Sequence, residues 1–231
     1  MDMGETQLAK TAFDDSLAAV PNYPDALLHR SNLHLQAGDI KSAHEDIELC
    51  LKLEPDFLSA VLRQVTLCMH EQNIDGAKKF LEAAAKMAPR NSDVQIYLGE
   101  LAFTTGDVAG ALKCFEKSLK FDPKNPNAYV NAALAILNQQ PAAGEMPDFF
   151  RAKELLQKGI DIDPQFQGAY VHLGQLNLTL AQNVTECKDV VDLYDAGMNH
   201  TKTEGELKEL LRMRIMAEAQ YQAALALNIM Q

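Results

Sequence analysis

The sequence predicts an all-α fold: a right-handed α-solenoid (α-α superhelix) of about four to five helix pairs, with a half repeat at the start and a capping helix at the end. Three observations predict it. Pro21, Pro55, Pro89 and Pro123 stand 34 residues apart, a period typical of stacked helix pairs. Twelve residues before each proline stands an alanine (Ala9, Ala43, Ala77, Ala111), and eight before stands a bulky apolar residue (Phe13, Ile47, Leu81, Phe115). Gly38 and Gly106 lie seventeen residues before the second and fourth prolines.

Each of these residues has its own physical reason. The alanine suits the point where two helices of a pair cross, because a larger side chain would push them apart. The bulky residue one turn on fills the space between pairs. Glycine ends the first helix in a backbone conformation that other residues adopt with strain. Proline stops the second helix, since it cannot donate to the helical ladder.

Taken in order, residues 1–23 carry only the second-helix half of the pattern, in Ala9, Phe13 and Pro21. An unpaired half repeat exposes an apolar face that a neighbour should cover, so the chain is expected to be cut from a longer solenoid. Regular repeats follow at 24–57, 58–91 and 92–125. The repeat at 126–166 carries Tyr129, Ala132, Ala133 and Ile136 on its first helix and Ala152, Leu156 and Pro164 on its second. Its turn is lengthened within the stretch from Gln139 to Asp148, an insertion that is either a recognition loop or a neutral surface loop. The repeat at 167–203 keeps Tyr170, Leu173 and Gly174, then drifts, and Val190, Tyr194 and Gly197 mark its second helix. Residues 204–231 form a long last helix on which Leu207, Leu210, Leu211, Ile215 and Ala219 recur at helical spacing. It reads as a cap on the last repeat, or alternatively as a dimerising helix.

Composition narrows the function classes. The 231 residues are 47% hydrophobic with 32 acidic and 21 basic side chains, a formal charge of −11. That argues against nucleic acid, which needs a basic footprint. No apolar run reaches the roughly 18 residues of a membrane span. Cys50, Cys68, Cys114 and Cys187 form no CxxC pair, which fits a reducing compartment rather than a metal site. Asn177, Asn183 and Asn199 each open a glycosylation pattern, read as chance without an export signal. The six histidines are dispersed, and no phosphate loop or nucleophile elbow is present. The expectation is therefore not an enzyme, with no cofactor and no metal.

The third repeat, with Leu98, Gly99, Ala102, Gly106, Ala111, Phe115 and Pro123, resembles the tetratricopeptide repeat (TPR). The tryptophan usual in that family is replaced by Leu27, Val61, Gln95, Tyr129 and Tyr170. In solenoids of this type the first helix of each repeat lines the concave side. The register then places Leu28, Asn32, Leu35, Leu62, Met69, Ile96, Glu100, Phe103, Val130, Leu134, Leu137, Val171 and Leu178 along an exposed, unusually apolar groove, expected to bind peptide. The other reading is tight closure, with these residues packed on each other or on the last helix. The two-carboxylate clamp by which many TPR domains hold chaperone tails needs lysine, asparagine and arginine on successive first helices. Leu28, Leu62, Asp93, Ile96 and Tyr97 stand there instead, and Arg63 alone does not make a clamp.

Several stretches narrow the resemblance: Leu27 to Asn32, Ala152 to Pro164 after the long loop, and Ala217 to Tyr221 after the proline-less repeat. Together they resemble the C-terminal half of the large TPR import receptor of the mitochondrial outer-membrane translocase. What that resemblance implies is a receptor on the cytosolic face of the mitochondrial outer membrane, held there through an N-terminal anchor absent from this sequence. Its partners would be precursor proteins with hydrophobic or amphipathic segments and other translocase subunits, with a homodimer as a further possibility. The alternative is a scaffold subunit in a multiprotein assembly.

Overall fold

The computed structural model describes residues 3–139 and 146–229. Twelve helices and no strand are found among them: α1 (Met3–Ala19), α2 (Pro24–Gln36), α3 (Ile40–Leu53), α4 (Leu58–His70), α5 (Ile74–Met87), α6 (Ser92–Thr104), α7 (Val108–Phe121), α8 (Pro126–Asn138), α9 (Phe149–Ile162), α10 (Gln167–Leu180), α11 (Val184–Met198) and α12 (Glu204–Ile229). The all-α class predicted from the period is the class observed. The chain divides into two compact units, residues 1–107 with α1–α6 and residues 108–231 with α7–α12. The expected insertion between Gln139 and Asp148 lies mostly outside the described residues.

In the first unit each helix packs on its neighbours in sequence, and the first helices also touch one another, α2 on α4 and α4 on α6. The periodic alanines Ala43 and Ala77 have no exposed surface, and Ile47 and Leu81 are buried beside them. The turn after each first helix is the same. The N–H groups of Gly38, Gln72 and Gly106 donate to Leu35, Met69 and Phe103, and those of Asp39, Asn73 and Asp107 reach back to His34, Cys68 and Ala102 at 2.8 Å. This is a helix C-cap that needs a left-handed residue. Gly38 (φ +76°) and Gly106 (φ +86°) supply it, and Gln72 adopts φ +59° at the place between them, which the sequence had not marked. The second helices start on side-chain caps: Asp39 accepts from the Ser42 N–H and Asn73 from the Gly76 N–H.

A charged fork ties α1, α2 and α3 together. Arg30 on α2 donates from Nε and Nη2 to Asp46 on α3 (2.9 and 2.6 Å) and from Nη1 to Asp14 on α1 (2.9 Å). The hydrogen bonds to Asp46 raise the guanidinium's proton affinity above its ordinary value, outweighing burial.

In the second unit, α8 and α9 repeat the alanine crossing with Ala152 and Leu156 buried. The pair α10 and α11, where the sequence drifts, is held differently. Tyr194 of α11 is fully buried and lies over Gly174 of α10, while Tyr170 of α10 lies over Gly197 of α11. A Cβ on Gly174 would stand 2.2 Å from Tyr194 Cζ, and one on Gly197 2.9 Å from the Tyr170 ring. Two antiparallel helices thus exchange a ring for a glycine at two levels of their contact, about one turn apart. That close approach replaces the alanine crossing and its proline stop.

The last helix packs on α11 and α10 as a cap, but on a different face from the one expected. Leu210 and Ala217 are fully buried, whereas Leu207, Leu211, Ile215 and Ala219 are exposed. Residues four apart drift around a helix by about 40° per step, so helical spacing alone does not say which stripe turns inward. Arg214 decides it with Leu210: its guanidinium donates to Asp195 of α11 at 2.6 and 3.3 Å. Gln167 of α10 donates to Glu209 Oε2 at 2.6 Å, and Gln220 donates to the Leu178 carbonyl at 3.2 Å.

Candidate functional site: the faces of the first helices

The thirteen expected groove residues all lie on α2, α4, α6, α8 and α10, but none is exposed. Leu28, Leu62, Ile96, Val130 and Val171 are buried, contrary to the exposure expected of them. The reason is the contact of α2 with α4, α4 with α6, and α8 with α10: this register position points into the seam between successive first helices rather than to solvent. Leu28 belongs to the core that includes Leu27 and Ile47, and Leu62 to the core that includes Val65 and Leu81. Asn32, Leu35, Met69, Glu100, Phe103, Leu134, Leu137 and Leu178 are half-buried. They are what the first helices still show to a ligand. Leu35, Met69 and Phe103 repeat at one period on the first unit, and Leu137 and Leu178 take the same place on the second.

A second line on the same helices was not read from the sequence as a line: Arg63 and Tyr97 were weighed only against the chaperone-tail clamp. One residue on from the buried position stand His29, Arg63 and Tyr97 in the first unit and Asn131 and His172 in the second. The 34-residue period itself was the signal that could have found them. Tyr97 receives a hydrogen bond at 3.3 Å on its hydroxyl from Thr66 Oγ1, joining α6 to α4. One period earlier the same two places hold Asn32 and Arg63. Among the described residues, Asn32 Oδ1 and Arg63 Nε are buried without a hydrogen-bond partner. His29 stacks on Phe13, with ring centroids 5.7 Å apart. Burial holds the His172 imidazole below its ordinary pKa, against the opposing influence of Gln175 and Glu209.

Chemically, these faces combine apolar side chains with amide, guanidinium, hydroxyl and imidazole groups. That set can bury an apolar side chain and bond a peptide backbone. Among the described residues no group of three or more His, Cys, Asp or Glu could hold a metal ion, and no helix is long and apolar enough to cross a membrane. Cys50, Cys68 and Cys187 are buried free thiols, and burial pushes Cys50 up to about 11.

Two family profiles described as tetratricopeptide repeat match the sequence, at residues 1–48 and 68–137. No curated protein matches it. Similar solved structures include yeast Tom70 (TM-score 0.71, 18% identity, covering 92% of this chain and 43% of that one). A second is the APC/C hetero-tetramer Cut9-Hcn1 (TM-score 0.68, 15% identity, 90% of this chain and 39% of that one). A third is a tetratricopeptide repeat protein from Parabacteroides merdae ATCC 43184 (TM-score 0.70, 17% identity, 92% and 78%). The chain thus spans less than half the length of the Tom70 and Cut9-Hcn1 chains it matches. At such identities the likeness is one of fold. With the matched segments, the periodic alanines and the repeated C-caps, it makes this an all-α protein built of tetratricopeptide repeats.

Proposed function

We propose that this chain is a peptide-binding module that takes hydrophobic or amphipathic segments of precursor proteins along its first helices, as the preprotein-binding part of a mitochondrial outer-membrane import receptor. One observation carries the binding reading: Leu35, Met69 and Phe103 are half-buried at one-period spacing on α2, α4 and α6, beside the unpartnered Asn32 and Arg63 atoms. Apolar side chains of a ligand would bury against the first group, contributing roughly 25 cal/mol per Å². Its backbone would satisfy the second. The mitochondrial part rests on the resemblance at Leu27–Asn32, 152–164 and 217–221 and is supported by the shared fold with yeast Tom70. Translocase subunits and the cytosolic face of that membrane follow from the same resemblance.

The test is an anisotropy titration with a fluorescein-labelled peptide copying an apolar internal segment of a carrier precursor. Saturable binding is expected, with a loss of tenfold or more in Met69→Glu and Phe103→Glu, each checked for intact helical signal. No binding, or binding indifferent to both substitutions, overturns the reading.

A second reading, a scaffold that assembles through its last helix, is favoured by one feature. Leu207, Leu211 and Ile215 are 41%, 44% and 58% exposed and lie within about 80° of one another around α12. Under that reading the chain sediments as a homodimer and Ile215→Glu returns it to monomer.

A further inference from the structure

A cavity of about 350 Å³ opens in the second unit where α9, α10 and α11 meet. Lys153 comes to it from α9, Asn177 and Leu180 from α10, and Glu186, Asp189 and Val190 from α11. Its volume is at the lower end for small-molecule sites, on the order of 300–1,000 Å³.

Two charged residues beside the cavity are already paired. Lys188, one residue before Asp189, is satisfied by Asp192 at 2.8 Å. Arg151, two before Lys153, is satisfied by Glu116 at 2.5 Å. Lys153, Asn177 and Asp189, by contrast, have no hydrogen-bond or ion-pair partner among the described residues, so the cavity keeps its own cation and its own carboxylate apart. Glu186 is fixed in place: it accepts the Gln182 N–H at 2.7 Å, and its own N–H donates to Asn183 Oδ1 at 2.9 Å.

An anionic ligand alone would leave Asp189 and Glu186 facing like charge. A cationic ligand alone would leave Lys153 doing so. A molecule with both ends satisfies all three groups, and Leu180 and Val190 add an apolar wall for a short aliphatic side chain. We infer that this cavity binds a zwitterionic α-amino acid with an aliphatic side chain, its carboxylate on Lys153 and Asn177 and its ammonium on Asp189 and Glu186. This site is separate from the peptide faces and stands or falls independently of them.

The experiment is an NMR titration of the full ¹⁵N-labelled chain with L-leucine, N-acetyl-L-leucine and L-leucinamide, reading the backbone amides of Asn177 and Val190. L-Leucine is expected to saturate, with a Kd of about 0.1–10 mM given its few atoms. Each analogue, lacking one charge, should bind roughly tenfold weaker or worse. Lys153→Met should erase the preference over leucinamide, and Asp189→Asn should narrow the preference over N-acetylleucine. Neither side chain is buried, so both variants should keep the helical spectrum. Absence of saturation by about 50 mM, equal binding of all three compounds, or preferences unchanged in both variants overturns the assignment.

Discussion

Replacing Gly174 by alanine puts a single methyl group where the structure has no room. The added Cβ would stand 2.2 Å from Tyr194 Cζ, 2.3 Å from its hydroxyl oxygen and 2.6 Å from Cε1. Ordinary carbon contacts lie at about 3.5–4.0 Å, so the ring must retreat by more than 1 Å. It has nowhere to go: Tyr194 is fully buried, with Val190 and Val191 buried one turn before it, and its hydroxyl donates to the Val171 carbonyl at 3.4 Å. Overpacking of this kind costs about 1–3 kcal/mol, and a clash with a rigid ring belongs at the upper end. Helix propensity works in the other direction by about 1 kcal/mol, so the expected net loss is about 2 kcal/mol. Urea denaturation followed by circular dichroism at 222 nm measures it. Two controls isolate the cause. In Gly159→Ala the new Cβ meets Ala169 at an ordinary 3.5 Å, so that variant should be as stable as the parent or about 0.5–1 kcal/mol more so. In Tyr194→Leu the ring is gone, and adding Gly174→Ala to it should cost at least 1 kcal/mol less than in the parent. A Gly174→Ala protein within 0.5 kcal/mol of the parent would refute the ring-on-glycine account of how α10 and α11 are joined.

Three further outcomes follow from the same structure. Gln72 holds φ +59° where its counterparts are Gly38 and Gly106, and a left-handed L-residue costs roughly 1–2 kcal/mol. Gln72→Gly should therefore stabilise by about 0.5–1 kcal/mol after the entropy cost of glycine, whereas Gly106→Gln should destabilise, both read as shifts in urea midpoint. Asp46→Asn removes the buried end of the Arg30 fork and should cost about 2 kcal/mol. Asp14→Asn removes only its exposed end and should cost less than about 1 kcal/mol, and equal losses would contradict the geometry. Burial lowers the His172 pKa, so the folded state prefers the neutral ring. The stability this contributes is present above the unfolded value of about 6.5 and is lost as pH falls through the folded pKa. His172→Gln should flatten the loss of thermal stability between pH 7 and pH 5.

How much was legible beforehand varied with how local each feature is. Ala43, Ala77 and Ala111 and their bulky partners could be placed because a crossing point repeats at the helical period and excludes bulk wherever it falls. Gly38 and Gly106 marked their turns, yet Gln72 hid the middle one, since only the backbone reveals a left-handed residue that is not glycine. The candidate faces were found on the right helices and partly on the wrong side. Leu28, Leu62, Ile96, Val130 and Val171 face the seam between first helices, and the half-buried line with Arg63 and Tyr97 lies one residue on.

By itself, then, the sequence determined that this protein consists of paired helices, at which prolines and glycines several of them stop, and which small residues let each regular pair cross. Those are consequences of capping, chain stiffness and side-chain size within one stretch of backbone. The tertiary structure decided which stripe of α12 turns inward, which register of the first helices is sealed, and how Tyr194 and Tyr170 hold a pair that lacks the usual crossing. Each of these depends on the angle and offset at which two distant segments meet. A rotation of one residue step, about 100° around a helix, exchanges a buried side chain for an exposed one without changing any local pattern.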